Sequence, residues 1–397
     1  MRKSSPPSER AVTEREAYLI LNMLSGIGPV RLAALLEFVD SVEEIFKLSE
    51  TELARIPGIS ESLANKLNHW ADHVDLEKEL RLIERGGVTV LIRSDEAYPQ
   101  PLREIHDSPI CLYVRGTIPP ETATHAIAMV GTRHISHYGE QMARHLAESA
   151  AYAKWVVVSG LAVGIDTVVH RSTVNAGGKT IAVLGSGLAR LHPQENLQLA
   201  RDIIATGGAV ISEFPMTMSP TRHTFPMRNR IISGLSQGTV VVEAGLNSGS
   251  LITAAQAIEQ GRRVFAVPGN VDTGAAGGCN TLIRKGAVLV ESFDHILEEF
   301  DFLPGFDSLR SVSVLREESA PGVIPEVPAG FDDQPDEIHL GPAADAVLQI
   351  LKKGDLSLDS MAAQTGYPAQ ELLSAAIALE IMCRIKRNTD GSYRRIR

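Results

Sequence analysis

The sequence has few of the features that define secreted, disulfide-rich or membrane proteins. Three cysteines occur in 397 residues, Cys111, Cys279 and Cys383, and their wide separation fits neither a disulfide framework nor a zinc site. No run approaches the roughly 20 apolar residues that span a bilayer. The opening MRKSSPPSER has no apolar segment of the kind found in secretory signals. We therefore expect a protein of the reducing cytoplasm, without a membrane span.

Aromatic side chains and positive charge are also scarce. Aromatic residues make up 5% of the chain, and the formal net charge is −10. Because neutralising phosphates requires Lys and Arg, an acidic chain is at first sight a poor ligand for nucleic acid. The acidity is uneven, however: residues 301–343 carry 9 acidic and 2 basic side chains, whereas residues 125–300 carry 13 and 14. The composition therefore permits a locally basic cleft in the middle of the chain.

The middle of the chain alternates short apolar runs with helical stretches. The runs are HAIAMVG (125–131), WVVVSG (155–160), TIAVLG (180–185), AVISE (209–213), GTVVVEA (238–244) and RVFAVPG (263–269). Continuous apolar strands separated by helices are typical of a parallel sheet covered on both faces. We predict an α/β, doubly wound Rossmann-like domain over residues 81–303.

The N-terminal part, residues 1–80, has a helical pattern with two similar glycine turns. These are LSGIGPVRLAALL (24–36) and RIPGISESLANKL (55–67), and they resemble paired helix-hairpin-helix (SAM-like) motifs. The amides of such turns can face a DNA phosphate. The net acidity of this part of the chain favours the alternative, a helical docking or purely structural module.

The C-terminal part contains a linker and a small helical unit. Residues 304–343 are rich in Pro, Gly and acids and are predicted to form a flexible linker. Residues 344–397 predict three helices and a hairpin turning at Asp390-Gly391, which describes a winged helix. The third helix, PAQELLSAAIALE, lacks the Arg, Asn and Lys side chains that read bases. Sequence-specific reading is not expected; phosphate contact by the wing and protein docking are both compatible with the pattern.

Small residues follow several predicted strands. In a doubly wound sheet, ligands lie outside the carboxyl ends of the strands, where glycines allow close approach and helix N-termini carry partial positive charge. The turns contain Gly131, Ser159, Gly160, Gly185, Gly187, Ser248, Gly249 and Ser250. Together they predict an anion-binding edge. Glu213 and Glu243 also end strands, which is where a catalytic acid could lie. We expect them instead to accept hydrogen bonds from neighbouring loop amides.

Candidate cations accompany these turns. Arg133 directly follows a strand, whereas Lys179 precedes one and by topology belongs at the opposite end. Arg228, Asn229 and Arg230 open a predicted helix. For the two arginines of that helix, contact with an anionic ligand and internal ion pairing that braces loops are equally compatible with the pattern.

Signals of enzymatic chemistry fail on their context. GGKT (177–180) precedes a strand, whereas a nucleotide-binding P-loop follows one. GLSQG (234–238) precedes a strand instead of capping one, as a nucleophile elbow would. His134 and His137 have no third metal ligand beside them. We therefore expect no catalytic residues, no metal and no cofactor.

The middle of the chain closely resembles the DNA-processing protein A (DprA/Smf) family. The resemblance covers roughly residues 98–292, beginning with YPQPLREIHDSPICLYVRG (98–116). It continues through VGTRHISHYG, SGLAVGID, TIAVLGSG, ISEFP, FPMRNRIISGLS, VVVEAGLNSGSLITA, VFAVPG and GCNTLIRKGA. The two flanks resemble the optional end modules of that family more loosely.

This resemblance implies a single-stranded DNA-binding protein that is not an enzyme. Members protect incoming strands during natural transformation, help load the RecA recombinase onto them, and usually dimerise through the Rossmann-like domain. Arg133 and Lys179 match basic positions that hold the strand. Phosphate contacts that do not read bases imply sequence-tolerant, salt-sensitive binding. Tyr138 and Phe225 are the candidates for base stacking.

Two other functions are compatible with parts of the pattern. The first is a nucleotide-binding enzyme or sensor similar to the lysine-decarboxylase-like phosphoribohydrolases. Those enzymes carry a Pro-Gly-Gly-x-Gly-Thr turn followed by a catalytic Glu, whereas EAGLNSGSLITA has no acid after its turn. The second is a scaffold that binds RecA-like partners through its end modules. Arg133 and the intact glycine turns count against the scaffold.

Overall fold

The computed structural model describes residues 12–300, 342–352, 354–381, 384–388 and 392–395. The chain divides into two compact units between Ile296 and Leu297, and each is described by itself. Within the described ranges, no helix combines the length and apolar character needed to cross a membrane.

The first unit begins with five helices: α1 (Glu14–Met23), α2 (Pro29–Leu36), α3 (Glu50–Leu53), α4 (Glu61–Asn68) and α5 (Leu76–Gly86). Side-chain caps explain where several of them start, because the first amides of a helix lack backbone partners. Thr13 and Ser49 form capping boxes at α1 and α3, and Ser60 caps α4. The helices enclose an apolar core that includes Ile20 and Leu67.

The two predicted glycine turns lie between α1 and α2 and between α3 and α4. One arginine joins them: Arg31 donates from Nη1 to the carbonyl of Gly26 at 2.6 Å and from Nε to that of Gly58 at 3.0 Å. Gly26 and Gly58 both have positive φ, which only glycine adopts readily. The prediction of paired helix-hairpin-helix motifs is confirmed.

The centre of the first unit is a nine-stranded sheet in the order β1-β2-β6-β5-β4-β3-β7-β8-β9. The strands are β1 (Thr89–Ile92), β2 (Cys111–Gly116), β3 (Ala126–Val130), β4 (Val156–Ser159), β5 (Thr180–Val183), β6 (Ala209–Ser212), β7 (Gly238–Val241), β8 (Arg263–Ala266) and β9 (Val288–Leu289). The accompanying helices are α6 (Gln100–Arg103), α7 (His137–Tyr152), α8 (Ile165–Asn175), α9 (Leu197–Ala205), α10 (Thr224–Gly234), α11 (Ser250–Glu259), α12 (Gly277–Arg284) and α13 (Phe293–Phe300).

Strands β3 to β9 are parallel, and the direction of strand addition reverses at β3. The chain adds β4, β5 and β6 on one side of β3 and then β7, β8 and β9 on the other. Ala128 accordingly has Val158 of β4 on one side and Thr239 of β7 on the other. The predicted doubly wound Rossmann-like sheet is confirmed, and its switch point lies between β3 and β7.

Strands β1 and β2 are antiparallel additions beside β6, and the sequence patterns did not predict them or β9. Strands β1 and β2 lack the βαβ spacing that identified the parallel strands, and β9, although parallel to β8, is only two residues long. Short apolar runs alone do not distinguish a strand from a buried helical segment.

The second unit contains α14 (Pro342–Ile350), α15 (Leu358–Thr365), α16 (Ala369–Ile381) and a hairpin of β10 (Ile385–Arg387) and β11 (Tyr393–Arg395). Its core includes Val347, Met361 and Tyr393. The predicted winged helix is confirmed. The linker predicted over residues 304–343 lies outside the described residues except for its last two positions, as does the Asp390-Gly391 turn.

Candidate nucleic-acid interface

One edge of the parallel sheet gathers the loops that follow the five strands β3 to β7, and we call it the carboxyl edge. Parallel strands end at the same side of a sheet, so the turns at Gly131, Gly160, Gly185, Glu213 and Glu243 meet there. The loops after β3 and β7 flank the switch point. This is where a doubly wound fold binds its ligand.

An arginine lies over an aromatic ring at this edge. Arg133, two residues after the turn at Gly131, is exposed, and its guanidinium carbon is 5.3 Å from the ring centroid of Phe225. This geometry is that of a cation–π pair. Arg133 forms no ion pair with the residues that the structure describes. Its positive charge is therefore available to a ligand.

The ring of Phe225 packs against Gly185 and lies near the ring of His192. It lies in the first turn of α10, half-buried, against the backbone of Gly185. A Cβ atom at Gly185 would come within 2.9 Å of the ring, so the close approach requires glycine. The exposed ring of His192, in the loop after β5, lies 6.4 Å from that of Phe225. We call Arg133, Phe225 and His192 the edge cluster.

Arg228 lies beneath this surface and has a structural role. It is buried, and its guanidinium donates to the carbonyls of Gly160 and Val183, at the ends of β4 and β5. Burial lowers the pKa of Arg228 to about 10, with the charge of Arg133 acting in the same direction and that of Asp166 opposing it. Of the two roles predicted for Arg228, loop bracing is the one observed.

Arg230 also pairs internally. Its buried guanidinium lies 3.1 Å from a carboxylate oxygen of Asp107 and donates to Glu213. Burial raises the pKa of Glu213, and the charge of Arg230 opposes that shift. The Glu213 carboxylate thus pairs with Arg230, and the expected hydrogen bond from a loop amide to this carboxylate is not observed among the described residues.

Glu243, in contrast, binds the amide and hydroxyl that open α7. Its buried carboxylate accepts a hydrogen bond from the backbone N–H of Ser136 at 2.9 Å and another from the Ser136 hydroxyl. The backbone carbonyl of Glu243 also accepts from the N–H of Thr132 at 2.8 Å. The expected contact between Glu243 and a neighbouring loop amide is confirmed.

Asp166 performs a similar role at α8. One of its oxygens accepts from the N–H groups of Gly160 at 3.1 Å and Ala162 at 3.3 Å. Burial raises the pKa of Asp166, while Arg228 and these amides oppose that shift. In the turn after β4, the N–H groups of Gly160 and Ala162 therefore donate to a carboxylate of the protein itself. The hydroxyl of Ser159, next in the chain to this turn, donates to Met129.

The other predicted positions differ in how available they are. The N–H of Gly187 donates to the carbonyl of Met218, and Asn229 accepts from Arg228. At the start of α11, the hydroxyls of Ser248 and Ser250 lie 2.8 Å apart, and Gly249 is exposed. The amides of Gly160 and Gly187 are thus engaged within the protein, and the edge cluster offers the more accessible chemistry.

Lys179 lies at the opposite, amino-terminal edge of the sheet. It precedes β5, and its ammonium forms a 2.8 Å ion pair with Glu121, which lies before β3. The hydrogen bond from Lys179 lowers the pKa of the Glu121 carboxyl. The topological expectation for Lys179 is confirmed, and the DNA contact implied by the resemblance stays a prediction.

His192 was not among the residues predicted from the sequence. Its position on the loop that follows the Gly185–Gly187 turn is a signal that could have identified it. Tyr138, the second stacking candidate, has a ring on the surface, and its hydroxyl donates to the carbonyl of Pro268 at 2.9 Å.

The fold and the edge define a class: multi-module α/β proteins whose Rossmann-like sheet presents an arginine–aromatic cluster at its switch-point edge. Three family models match along the chain. DNA recombination-mediator protein A matches residues 89–301, a SAM-like helix-hairpin-helix tandem matches residues 18–67, and the DprA winged helix domain matches residues 332–391.

Individual relatives agree with these models. Protein Smf of Escherichia coli is 36% identical over 324 residues, covering 81% of each chain. DNA processing protein DprA of Bacillus subtilis is 43% identical over 238 residues, covering 60% of this chain and 79% of its own. The crystal structure of DNA processing protein A from Streptococcus pneumoniae superposes with a TM-score of 0.63 at 35% identity, covering 74% of this chain and all of that one. This chain belongs to the DNA processing protein A (DprA/Smf) family.

Proposed function

We propose that this protein binds single-stranded DNA along the carboxyl edge of its sheet and catalyses no reaction. The observation that carries the proposal is Arg133, an exposed guanidinium held over Phe225 and paired with no carboxylate of the described residues. Arg133 would contact a phosphate, and the ring of Phe225 would receive a base. Both contacts are the kind that hold single strands in other proteins.

This arrangement favours single strands of any sequence. A base reaches the Phe225 ring only when it is unstacked from its neighbours, as in a single strand. Neither a phosphate contact nor a ring face reads the hydrogen-bonding edges of bases. Binding of a phosphate by Arg133 releases counterions from the DNA, which makes the affinity fall as the salt concentration rises.

The carboxylates at this edge support a binding role over an enzymatic one. Asp166, Glu213 and Glu243 are buried, and each accepts hydrogen bonds from the protein itself. A general base requires an oxygen within reach of a substrate proton. We therefore prefer DNA binding to the phosphoribohydrolase-like alternative.

Family membership supports the wider parts of the proposal. We infer that the protein acts in the cytoplasm during transformation and recombination as a homodimer, protecting the strand and helping to load RecA onto it. DprA of B. subtilis and S. pneumoniae bear the name DNA processing protein. RecA loading is measured as RecA-dependent ATP hydrolysis on a single strand, with and without this protein, and no stimulation would contradict it.

The direct test is fluorescence anisotropy of a labelled single-stranded oligonucleotide across a salt series, with duplex as competitor. We expect Arg133→Ala to weaken binding by about tenfold or more, because it removes the accessible cation of the edge cluster. Arg144→Ala is the matched control, since Arg144 is an exposed arginine of α7 that is paired with Glu140. The affinity of this variant for the oligonucleotide should equal that of the wild type. Absence of binding by the folded wild type would refute the DNA proposal.

A further inference from the structure

The start of α7 is the position at which a doubly wound fold holds the phosphate of a small nucleotide. The helix follows the first parallel strand at the switch point and is 16 residues long. Its free amides and aligned peptide dipoles would ordinarily attract an anion. In this protein an internal group already occupies that position.

That group is the carboxylate of Glu243, which is only 5% exposed. It accepts from the N–H and the hydroxyl of Ser136, the residue that caps α7. Gly139, in the first turn, lies directly against it: a Cβ atom there would come within 2.7 Å of the carboxylate carbon. The space that a phosphate would need is therefore filled.

The loop after β3 also holds the main chain of Glu243. The Glu243 carbonyl accepts from Thr132, and a Cβ atom at Gly131 would lie 2.9 Å from that carbonyl oxygen. The loop after β3 is thus tied to Glu243 through both main chain and side chain. The carboxylate cannot swing aside without disturbing the loop that carries Arg133.

The neighbouring turn repeats the arrangement. Asp166 accepts hydrogen bonds from the N–H groups of Gly160 and Ala162, so these two donors are not open to an anion either. A small phosphate ligand at the switch point would meet two carboxylates where a nucleotide-binding protein presents open amides. Arg133 lies outside them, on the exposed surface.

We propose that Glu243 is a specificity-determining residue, whose carboxylate occupies the phosphate position of the fold and excludes mononucleotides and dinucleotides. A polynucleotide remains acceptable because its phosphates bind outside this position and its many weak contacts add together. The exclusion of small nucleotides stands independently of the proposed function. Only the retention of the polynucleotide rests on it.

The test uses the full chain and measures AMP binding by isothermal titration calorimetry. Glu243→Ala removes the internal carboxylate, and we expect its affinity for AMP to rise about tenfold over wild type, which is the contribution of a vacated helix N-terminus. Glu243→Gln keeps the volume and should gain no affinity. Glu140→Ala, which removes another acid from the same helix turn, is the matched control and should behave like wild type.

A second measurement, the melting temperature in the presence of acetate, tests the proposal even if the alanine variant is less stable than wild type. Acetate should raise the melting temperature of Glu243→Ala, and of Glu243→Ser if the alanine variant folds poorly, because it replaces the missing carboxylate. It should not affect wild type. Equal AMP affinity in wild type and Glu243→Ala, or a folded variant that responds to neither AMP nor acetate, would overturn the proposal.

Oligonucleotide binding by the wild type, measured beside these assays, separates the two proposals. If AMP enters only Glu243→Ala but the wild type binds no single strand, the role of Glu243 stands and the DNA function fails. If the wild type binds the strand and AMP equally well, the reverse holds.

Discussion

The two edges of the parallel sheet each carry a cation beside a strand, and their partners differ. At the carboxyl edge, Arg133 lies over the ring of Phe225. At the amino edge, Lys179 lies 2.8 Å from the carboxylate of Glu121. A ring leaves the charge of a cation available to a phosphate, whereas a carboxylate neutralises it. The strand end at which a basic residue lies, together with its partner, therefore decides whether its charge can reach a ligand.

A second comparison lies within the carboxyl edge itself. Arg133 is exposed, whereas Arg228 is buried and donates hydrogen bonds to two backbone carbonyls. The charge of Arg133 helps to lower the pKa of Arg228. One arginine is open to the surface, and the other holds the ends of β4 and β5 together. Substitutions should therefore separate binding from stability.

The largest expected effect is on folding, from Arg228→Met. This change leaves the carbonyls of Gly160 and Val183 and the carboxylate of Asp166 without their cation, and we expect it to destabilise the protein by about 3 kcal/mol. Urea denaturation followed by circular dichroism measures the loss. Arg133→Ala is the control and should change the free energy of unfolding by less than about 0.5 kcal/mol. Equal free energies of unfolding for Arg228→Met and Arg133→Ala would contradict the structural role that we assign to Arg228.

The next largest effect is expected on single-strand affinity, from replacing the aromatic ring of Phe225. Phe225→Leu keeps an apolar side chain against Gly185 but removes the aromatic face, so single-strand affinity should fall about fivefold, near the lower end of base stacking. Anisotropy at fixed salt measures it, and the slope of affinity against salt should stay unchanged because no cation is lost. A steeper or shallower slope would show that Phe225 acts through Arg133 instead. Tyr152→Leu, which removes an exposed ring at the end of α7, is the control.

Much of this molecule could be predicted from its sequence, for identifiable reasons. The strands β3 to β8 are continuous apolar runs between helices, a pattern with few alternatives. The edge positions of Arg133 and Lys179 follow from strand direction alone. Strands β1 and β2 escaped prediction because antiparallel pairing beside β6 leaves no comparable spacing signal.

The occupancy of the amide turns was predicted only in part: a contact of Glu243 with a loop amide was expected, whereas the contacts of Asp166 with Gly160 and Ala162 were not. The turns at Gly131 and Gly160 have the composition of an anion site, and only the positions of Glu243 and Asp166 reveal that the neighbouring donors are engaged. Asp166 is close to Gly160 in the sequence, but its place in the first turn of α8 does not show that its carboxylate turns back to the amides before the helix. His192 was missed for a related reason, since its proximity to Phe225 arises from the packing of two distant loops.

The smallest expected effect belongs to Lys179→Ala, and it tests the comparison of edges most sharply. Because Lys179 is paired with Glu121 at the far edge, its removal should change single-strand affinity less than twofold. The half-exposed ion pair should contribute less than about 0.5 kcal/mol to stability. Glu121→Gln is the informative partner variant: it frees the ammonium without removing it, and it should leave the affinity unchanged as well. If Lys179→Ala instead weakens binding as much as Arg133→Ala, the strand must extend around the sheet to its amino edge, and the ion pair with Glu121 must open when DNA binds.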